Sequence, residues 1–162
     1  MITEDYVSFE TAKLLKEKGF DEPCEAWYAE YTSVWGVDSS GDRKYIVIQF
    51  DDKNRFDEDY KFLCYAPTLQ MAMRWLRDVH HIVLVVDYDY ECTDKSYCYK
   101  VYCLGENGKP KRVPIYGVGY DIEGNQYREL VSYRDYERSC FEYVKYEEAC
   151  EAGFKYCLEN LI

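Results

Sequence analysis

The stretch APTLQMAMRWLRDVHHIVLVVDYDY, residues 66–90, decides the fold that the sequence predicts. Its first half repeats apolar residues at intervals of three and four, which is the spacing of an amphipathic helix with one buried side. Its second half, residues 82–90, opens with a run of aliphatic residues and continues with alternating Asp and Tyr, which predicts a strand. The strand follows the helix too closely for a long crossover connection, so we expect the two to pack face to face.

Two further helices are predicted near the ends of the chain. Ser8 is a good N-cap for the first, and Gly19 suits the left-handed position that follows a helix C-terminus. The last helix, within residues 146–162, carries an apolar stripe and has two Glu residues near the positive end of its dipole. Gly153 in that stripe costs about 1 kcal/mol relative to Ala, which indicates close approach of another backbone.

Between the helices, alternating side chains separated by turn residues predict antiparallel strands. The acidic segment 51–62 is predicted as a solvated connection rather than a calcium loop, because it has no Gly and places Phe56 in a ligand position. Pro114, Gly117 and Gly119 indicate an edge or bulged strand. The predicted strands are residues 26–35, 43–50, 82–90, 96–104, 113–122 and 126–133.

These elements predict an α+β fold, with an antiparallel sheet of about 5–6 strands in a meander of hairpins and about three helices packed mainly on one face. The 162 residues contain no internal repeat, no low-complexity tract and no linker rich in Pro or Gly. We therefore expect a single domain, residues 1–162.

The composition is acidic and rich in tyrosine. With 20 basic and 31 acidic residues the net charge is −11, which disfavours direct binding to nucleic-acid phosphates. An acidic surface mostly confers solubility, and its sharper interpretation is a decoy for a basic, nucleic-acid-binding protein. The 19 tyrosines favour half-buried strand faces, because the ring packs while the hydroxyl stays hydrated.

The sequence predicts a cytoplasmic protein. It shows no signal peptide, and its longest aliphatic run, residues 82–86, is far too short to cross a bilayer. The cysteines are then expected to be free thiols in a reducing compartment. None of them forms a CxxC pair, so buried packing explains them better than a zinc or redox motif. They are Cys24, Cys64, Cys92, Cys98, Cys103, Cys140, Cys150 and Cys157.

Three segments carry a resemblance to a known family. They are YVSFETAKLLKEKGFDEPC at 6–24, YAPTLQMAMRWLRDVHHI at 65–82 and YEEACEAGFKYCLENLI at 146–162. Together they cover about a third of the chain. In them the chain resembles a family of small uncharacterised proteins from phages, prophages and mobile elements of gut anaerobic bacteria. The resemblance implies a cytoplasmic accessory protein of a mobile element and implies no activity.

Two groups of residues are candidate sites. Asp87, Asp89 and Glu91 alternate along one strand and would present three carboxylates on one face, a possible start for a Mg²⁺ or Ca²⁺ site, although a hydrated strand face needs no metal. Met71 and Trp75 lie four apart on the flank of the central helix, where they would dock a partner or widen the core-facing side. We predict no catalytic residue and no cofactor.

Three hypotheses about function follow. The first is a non-enzymatic interaction protein that acts on a protein partner through its acidic, tyrosine-rich surface. The second is a small-molecule or divalent-metal binding protein, or an enzyme, built around the Asp87–Glu91 strand end. The third is self-association, with the exposed aromatic residues forming the chain's own interface.

Overall fold

The computed structural model describes residues 5–31, 45–49, 60–89, 96–138 and 142–162. This part of the chain contains three α-helices and eight strands, all paired antiparallel, so the predicted α+β class is confirmed. In chain order the elements are α1 Phe9–Glu17, β1 Ala26–Tyr31, β2 Tyr45–Gln49, β3 Tyr60–Tyr65, α2 Leu69–His80, β4 Ile82–Asp89, β5 Ser96–Cys103, β6 Val113–Tyr120, β7 Gln126–Arg134, β8 Glu137–Arg138 and α3 Tyr146–Asn160.

The strands are divided among three small sheets, whereas the sequence predicts one sheet of about 5–6 strands. The sheets have the orders β2-β1-β3, β4-β5-β8 and β6-β7. The chain also divides into two compact units. The first comprises Met1–Trp75 and Cys150–Ile162, and the second comprises Leu76–Ala149.

In the first unit, α1 begins and ends where its sequence predicts. The side chain of Ser8 accepts a hydrogen bond from the backbone N–H of Thr11 at 3.3 Å, as an N-cap does. Gly19 has a φ of +94°, the left-handed conformation in which glycine is favoured after a helix. The most deeply buried side chains of this unit include those of Val7, Leu15, Phe154 and Leu158.

The sheet of the first unit is built on β1, which pairs with β2 on one side and β3 on the other. The predicted hairpin of β1 and β2 is confirmed, with Trp27 opposite Ile48. The prediction of a connection over residues 51–62 is wrong at its end, because β3 already begins at Tyr60. The apolar residues that follow Lys61 indicate this strand. The acidic residues before Lys61 instead favoured the prediction of a connection. Residues 51–59 lie outside the described part of the chain.

In the second unit, β4 follows α2 after a single residue, as the sequence predicts. That residue, His81, has a φ of +57°, and its carbonyl oxygen accepts a hydrogen bond from the N–H of Leu104 at 2.8 Å. β4 then pairs with β5 along its whole length, from Ile82 opposite Cys103 to Asp89 opposite Ser96. The left-handed turn at His81 thus replaces a longer connection between helix and strand.

β6 and β7 form a separate two-stranded sheet. Their register runs from Val113 opposite Arg134 to Tyr120 opposite Gln126, with a bulge between Ile115 and Tyr116. The extra residue of this bulge, Val131, lies on β7. Among the described strands β6 pairs with β7 alone, so of the two predicted alternatives for β6 it is an edge strand. Among the described helices, none combines the length and the apolar character needed to span a membrane.

Candidate interaction site

The β6–β7 hairpin, residues 113–134, is the most exposed apolar element of the described chain. Its two strands bond to each other and to none of the other described strands. Every residue of β7 except the last is exposed, and exposed residues alternate with half-buried ones along β6. An isolated hairpin of two strands is at best marginally stable, because it lacks a second layer on which to bury its apolar side chains.

One face of the hairpin, which we call the tyrosine face, carries a continuous set of aromatic and aliphatic side chains. Directly opposite residues of an antiparallel pair project from the same side, so the register assigns its members. Its members, with their exposed fractions, are Tyr116 (49%), Val118 (63%), Tyr120 (61%), Leu130 (45%) and Tyr133 (53%), together with Pro114, Gln126 and Arg128.

Three polar side chains of the tyrosine face, those of Arg128, Gln126 and Tyr120, have partners within the hairpin. The guanidinium of Arg128 lies over the ring of Tyr116, 4.6 Å from its centroid. The side-chain amide of Gln126 donates a hydrogen bond to the hydroxyl of Tyr120 at 3.0 Å. Covering the face would therefore leave neither Gln126 nor the Tyr120 hydroxyl without a partner.

On the opposite face of the hairpin, side chains of β7 lie over the two glycines of β6. A Cβ placed on Gly119 would lie 2.6 Å from the ring of Tyr127, and one placed on Gly117 would lie 2.7 Å from a methyl carbon of Val131. Both glycines therefore serve to admit a neighbouring side chain onto the strand. Tyr127 and Val131 are themselves 49% and 66% exposed, so the opposite face presents two large exposed apolar side chains, compared with five on the tyrosine face.

The hairpin also differs from the rest of the chain in charge. Residues 113–134 contain three acidic and two basic residues, so they account for only −1 of the net charge of −11. The turn holds two of the acidic residues, and the carboxylate of Asp121 accepts hydrogen bonds from the backbone N–H groups of Glu123 and Asn125 at 2.9 and 2.8 Å. The side-chain amide of Asn125 also donates to this carboxylate at 2.9 Å. This side-chain bond is the main cause that lowers the pKa of Asp121, and the backbone bonds lower it further.

Comparisons of the chain with protein-family models, with curated proteins and with solved structures found no match. The resemblance to small proteins of phages and mobile elements therefore stays a prediction.

Of the carboxylate candidates, Asp87 lies near the end of β4. Asp87 is exposed, and its carboxylate binds the ammonium of Lys100 at 2.7 Å. The side chain of Asp89 and the whole of Glu91 lie outside the described residues. Within the described residues, no three His, Cys, Asp or Glu side chains are grouped to hold a metal ion. The partner that the structure gives Asp87 is thus a lysine of the neighbouring strand.

On the flank of α2 that carries Met71 and Trp75, the side chain of Trp75 packs into the core. Only 6% of this residue is exposed, and its ring meets that of Phe20 edge to face with 5.6 Å between centroids. Met71 is half-buried. Of the two uses that the sequence allows, the structure shows the core-facing one for Trp75.

A groove of about 470 Å³ lies between α1 and α3 in the first unit. Ser8, Thr11 and Glu151 meet at its edge, where the Glu151 carboxylate accepts hydrogen bonds from both hydroxyls and from the Ser8 N–H. The groove is also lined by three further glutamates and two lysines. A carboxylate bound by three donors at a helix N-terminus is explained by capping.

The described cysteines match the prediction of buried packing. Cys24, Cys64, Cys98, Cys150 and Cys157 are buried, Cys103 is half-buried, and all six are free thiols. Burial raises the pKa of Cys24 to about 11 and also raises the pKa of Cys64 and of Cys103. Since the thiolate is the reactive form, these thiols are poor nucleophiles. Cys92 and Cys140 lie outside the described residues.

The sequence contains the signal for the tyrosine face, but the predictions did not single it out. Tyr116, Val118 and Tyr120 occupy every second position of a predicted strand, which places them on one side. What the sequence does not show is how much of this side stays exposed in the folded chain.

Proposed function

We propose that this chain is a non-enzymatic interaction protein, an accessory protein of a mobile element, which binds a protein partner through the tyrosine face of its β6–β7 hairpin. The observation that carries the proposal is the exposure of five large apolar side chains on one side of a two-stranded sheet. Exposed apolar patches of this kind are typical of protein-binding surfaces.

The chemistry of the face supports a protein partner in particular. Tyrosine and arginine are the residue types enriched at the centres of protein interfaces, because they combine large contact area with polar groups. The face carries three tyrosines and one arginine. A two-stranded sheet also offers few alternatives for burying such residues, so a partner stabilises the hairpin itself as well as the complex.

Site-specific photo-crosslinking tests the proposal. A photoreactive amino acid in place of Val118, at the centre of the tyrosine face, is expected to give discrete crosslinked products with cytoplasmic protein, identified by mass spectrometry. The matched control places the same amino acid at Gln70, which is exposed on α2. Products from residue 118 should disappear when Tyr116 and Tyr120 are both replaced by Ser.

Identical products from positions 118 and 70, or none from position 118, would contradict the proposal. Circular dichroism of the Tyr116→Ser, Tyr120→Ser variant shows whether the chain remains folded. If it does, loss of the products reports on the face itself.

A further inference from the structure

We propose that the partner at the tyrosine face is a second copy of this chain, so that two β6–β7 hairpins pack face to face about a two-fold axis. The inference rests on the proposed function, since it names the occupant of the same surface. It adds the identity of the partner, the symmetry of the contact and the residue at its centre.

The need for a second layer favours a sheet as the partner. Sheets are stable when one face packs on another layer of secondary structure, and two sheets packed face to face are a standard solution. A hairpin packed on an identical hairpin gives a four-stranded, two-layer arrangement in which each copy supplies the layer that the other lacks. A two-fold contact uses the same patch on both copies, so the face needs only to complement itself.

The distribution of charge favours the tyrosine face over the rest of the surface for self-association. Each chain carries −11, and residues outside the hairpin account for −10 of that. Two copies meeting through any average part of the remaining surface repel each other. The hairpin carries −1, and the only charged side chain on the tyrosine face, Arg128, lies over the ring of Tyr116. The face is therefore where a second acidic chain approaches with the least repulsion.

The available area agrees with a reversible dimer. Three half-exposed tyrosines offer about 300 Å². With Val118 and Leu130, the face offers roughly 450–500 Å² of side-chain surface per copy. Two copies would bury close to the 1,000 Å² total that separates specific interfaces from incidental contacts, by an approximate threshold. An interface at that lower limit is expected to give a dissociation constant on the order of 10 μM.

Existing partners of Gln126, Tyr120 and Arg128 lower the free-energy cost of removing water from the face. Gln126 and the Tyr120 hydroxyl already bond to each other across the strands. The Arg128 charge is held against an aromatic ring at 4.6 Å, where a cation keeps a favourable interaction when water is removed.

Sedimentation velocity over a range of protein concentrations tests the inference. The wild-type chain is expected to shift reversibly from a mass of 19.4 kDa to twice that mass as its concentration rises. Val118→Arg should weaken dimerisation at least about 100-fold, because in both copies it adds a second charged side chain directly opposite Arg128 at the centre of the face. The matched control is Val144→Arg, which adds the same charge at a residue that is 79% exposed and lies outside the hairpin. It should change the dissociation constant by less than about twofold.

Salt gives an independent measurement. Dimerisation of two acidic chains through an apolar face is expected to stay constant or become tighter as salt screens their repulsion. Binding to a basic partner would instead weaken steeply. A second variant, Val118→Cys, is expected to form an intermolecular disulfide on mild oxidation, whereas Val144→Cys is not, and this outcome does not depend on weakening the fold.

The outcomes separate the inference from the proposed function. A dimer that survives Val118→Arg, or a chain that remains monomeric up to about 100 μM, tenfold above the expected constant, overturns the inference. If residue 118 of such a monomer still crosslinks specifically to another protein, the proposed function stands with a different partner. If it crosslinks to nothing, the proposed function fails as well.

Discussion

The carboxylate of Glu151 in α3 caps α1 by accepting two hydrogen bonds from Ser8, one from its backbone N–H at 2.6 Å and one from its hydroxyl at 2.7 Å. The hydroxyl of Thr11 donates to the same carboxylate. The first N–H groups of a helix have no acceptor within the helix, and the dipole favours a negative charge beside them. A residue near the end of the chain thus completes the first helix.

Glu151→Ala is expected to lower the free energy of unfolding by about 2–3 kcal/mol, because it leaves three donors without their acceptor. Glu151→Gln keeps one acceptor oxygen and should cost less. Urea denaturation measures both changes.

The control for this prediction is Glu159→Ala. Glu159 lies on the same helix and pairs with Lys155, 4.0 Å away at the surface. Such an exposed pair contributes less than about 0.5 kcal/mol. Equal losses for the two Ala variants would contradict the capping role of Glu151.

The stability of the protein is expected to fall at alkaline pH through Tyr28 and Cys24. Burial raises the pKa of Tyr28 from 10.0 to about 12, and burial raises the pKa of Cys24 from 9.0 to about 11. A raised pKa means that the folded chain holds the proton more tightly than the unfolded chain. The resulting stability is complete below pH 9 and is lost as the pH rises through 11 and 12.

The variant Tyr28→Phe shows how much of the stability lost at alkaline pH is due to Tyr28. The variant should be about 1 kcal/mol less stable at pH 7, because the Tyr28 hydroxyl donates to the carbonyl oxygen of Val7 at 2.7 Å. Between pH 10 and pH 12 it should lose less stability than the wild type. Urea midpoints at pH 7, 10 and 11 test this, and parallel pH profiles for the two proteins would rule out a role for Tyr28.

The helices were predictable because their signals are local. Ser8, Gly19 and the apolar spacing of α2 each act within a few residues, and the structure confirms all three. The cap that Glu151 supplies to α1 was not predictable from the sequence. Ser8 and Glu151 are 143 positions apart, and both residue types are common on protein surfaces. The division into three sheets was missed for the same reason, because strand patterns specify faces but not which strands remain separate.

The Asp87–Lys100 ion pair gives a prediction about metal binding. The hydrogen bond from Lys100 lowers the pKa of Asp87, so its contribution to stability is present above pH 3.8 and lost as the pH falls through the folded value. Lys100→Met should raise the pKa of Asp87 measured by NMR. The cost in stability should remain below about 1 kcal/mol, because the Asp87 carboxylate is exposed to solvent.

Adding divalent cations to the same NMR measurement of Asp87 tests the metal-binding hypothesis. With Lys100 in place, millimolar Mg²⁺ or Ca²⁺ is expected to leave the Asp87 resonance unchanged, because the lysine already neutralises its carboxylate. A shift that saturates in the wild-type chain would favour the metal-binding hypothesis. Asp87→Asn provides the control for ions bound elsewhere.

The candidate site was only partly predictable. The alternation of Tyr116, Val118 and Tyr120 is visible in the sequence, and so is the abundance of tyrosine. Burial of Trp75 against Phe20 depends on which elements meet in three dimensions, and the same holds for the exposure of the hairpin. A sequence pattern identifies a face that can be buried, whereas the tertiary fold decides whether it is.

Native thiol reactivity should be low at the buried cysteines. Cys24 and Cys64 are buried with raised pKa values, so little thiolate is present at pH 8 and the reagent has little access. A maleimide reagent at pH 8 is expected to label both residues at least about 100-fold more slowly in the native chain than in urea. Peptide mapping measures each site separately, and rapid native labelling of Cys64 would contradict the packing of β3.

The pairing of Gly119 with Tyr127 predicts how the hairpin responds to a single methyl group. A Cβ on Gly119 would lie 2.6 Å from the Tyr127 ring, so Gly119→Ala must push the ring aside. Because only the far end of a side chain moves, the cost should stay below about 1 kcal/mol. In a Tyr127→Ala background the same substitution meets no ring, and it should be neutral or slightly stabilising because Ala has less backbone entropy to lose than Gly. A double-mutant cycle should therefore give a coupling of about 0.5–1 kcal/mol, and additive effects would show that the ring does not lie over Gly119 in solution.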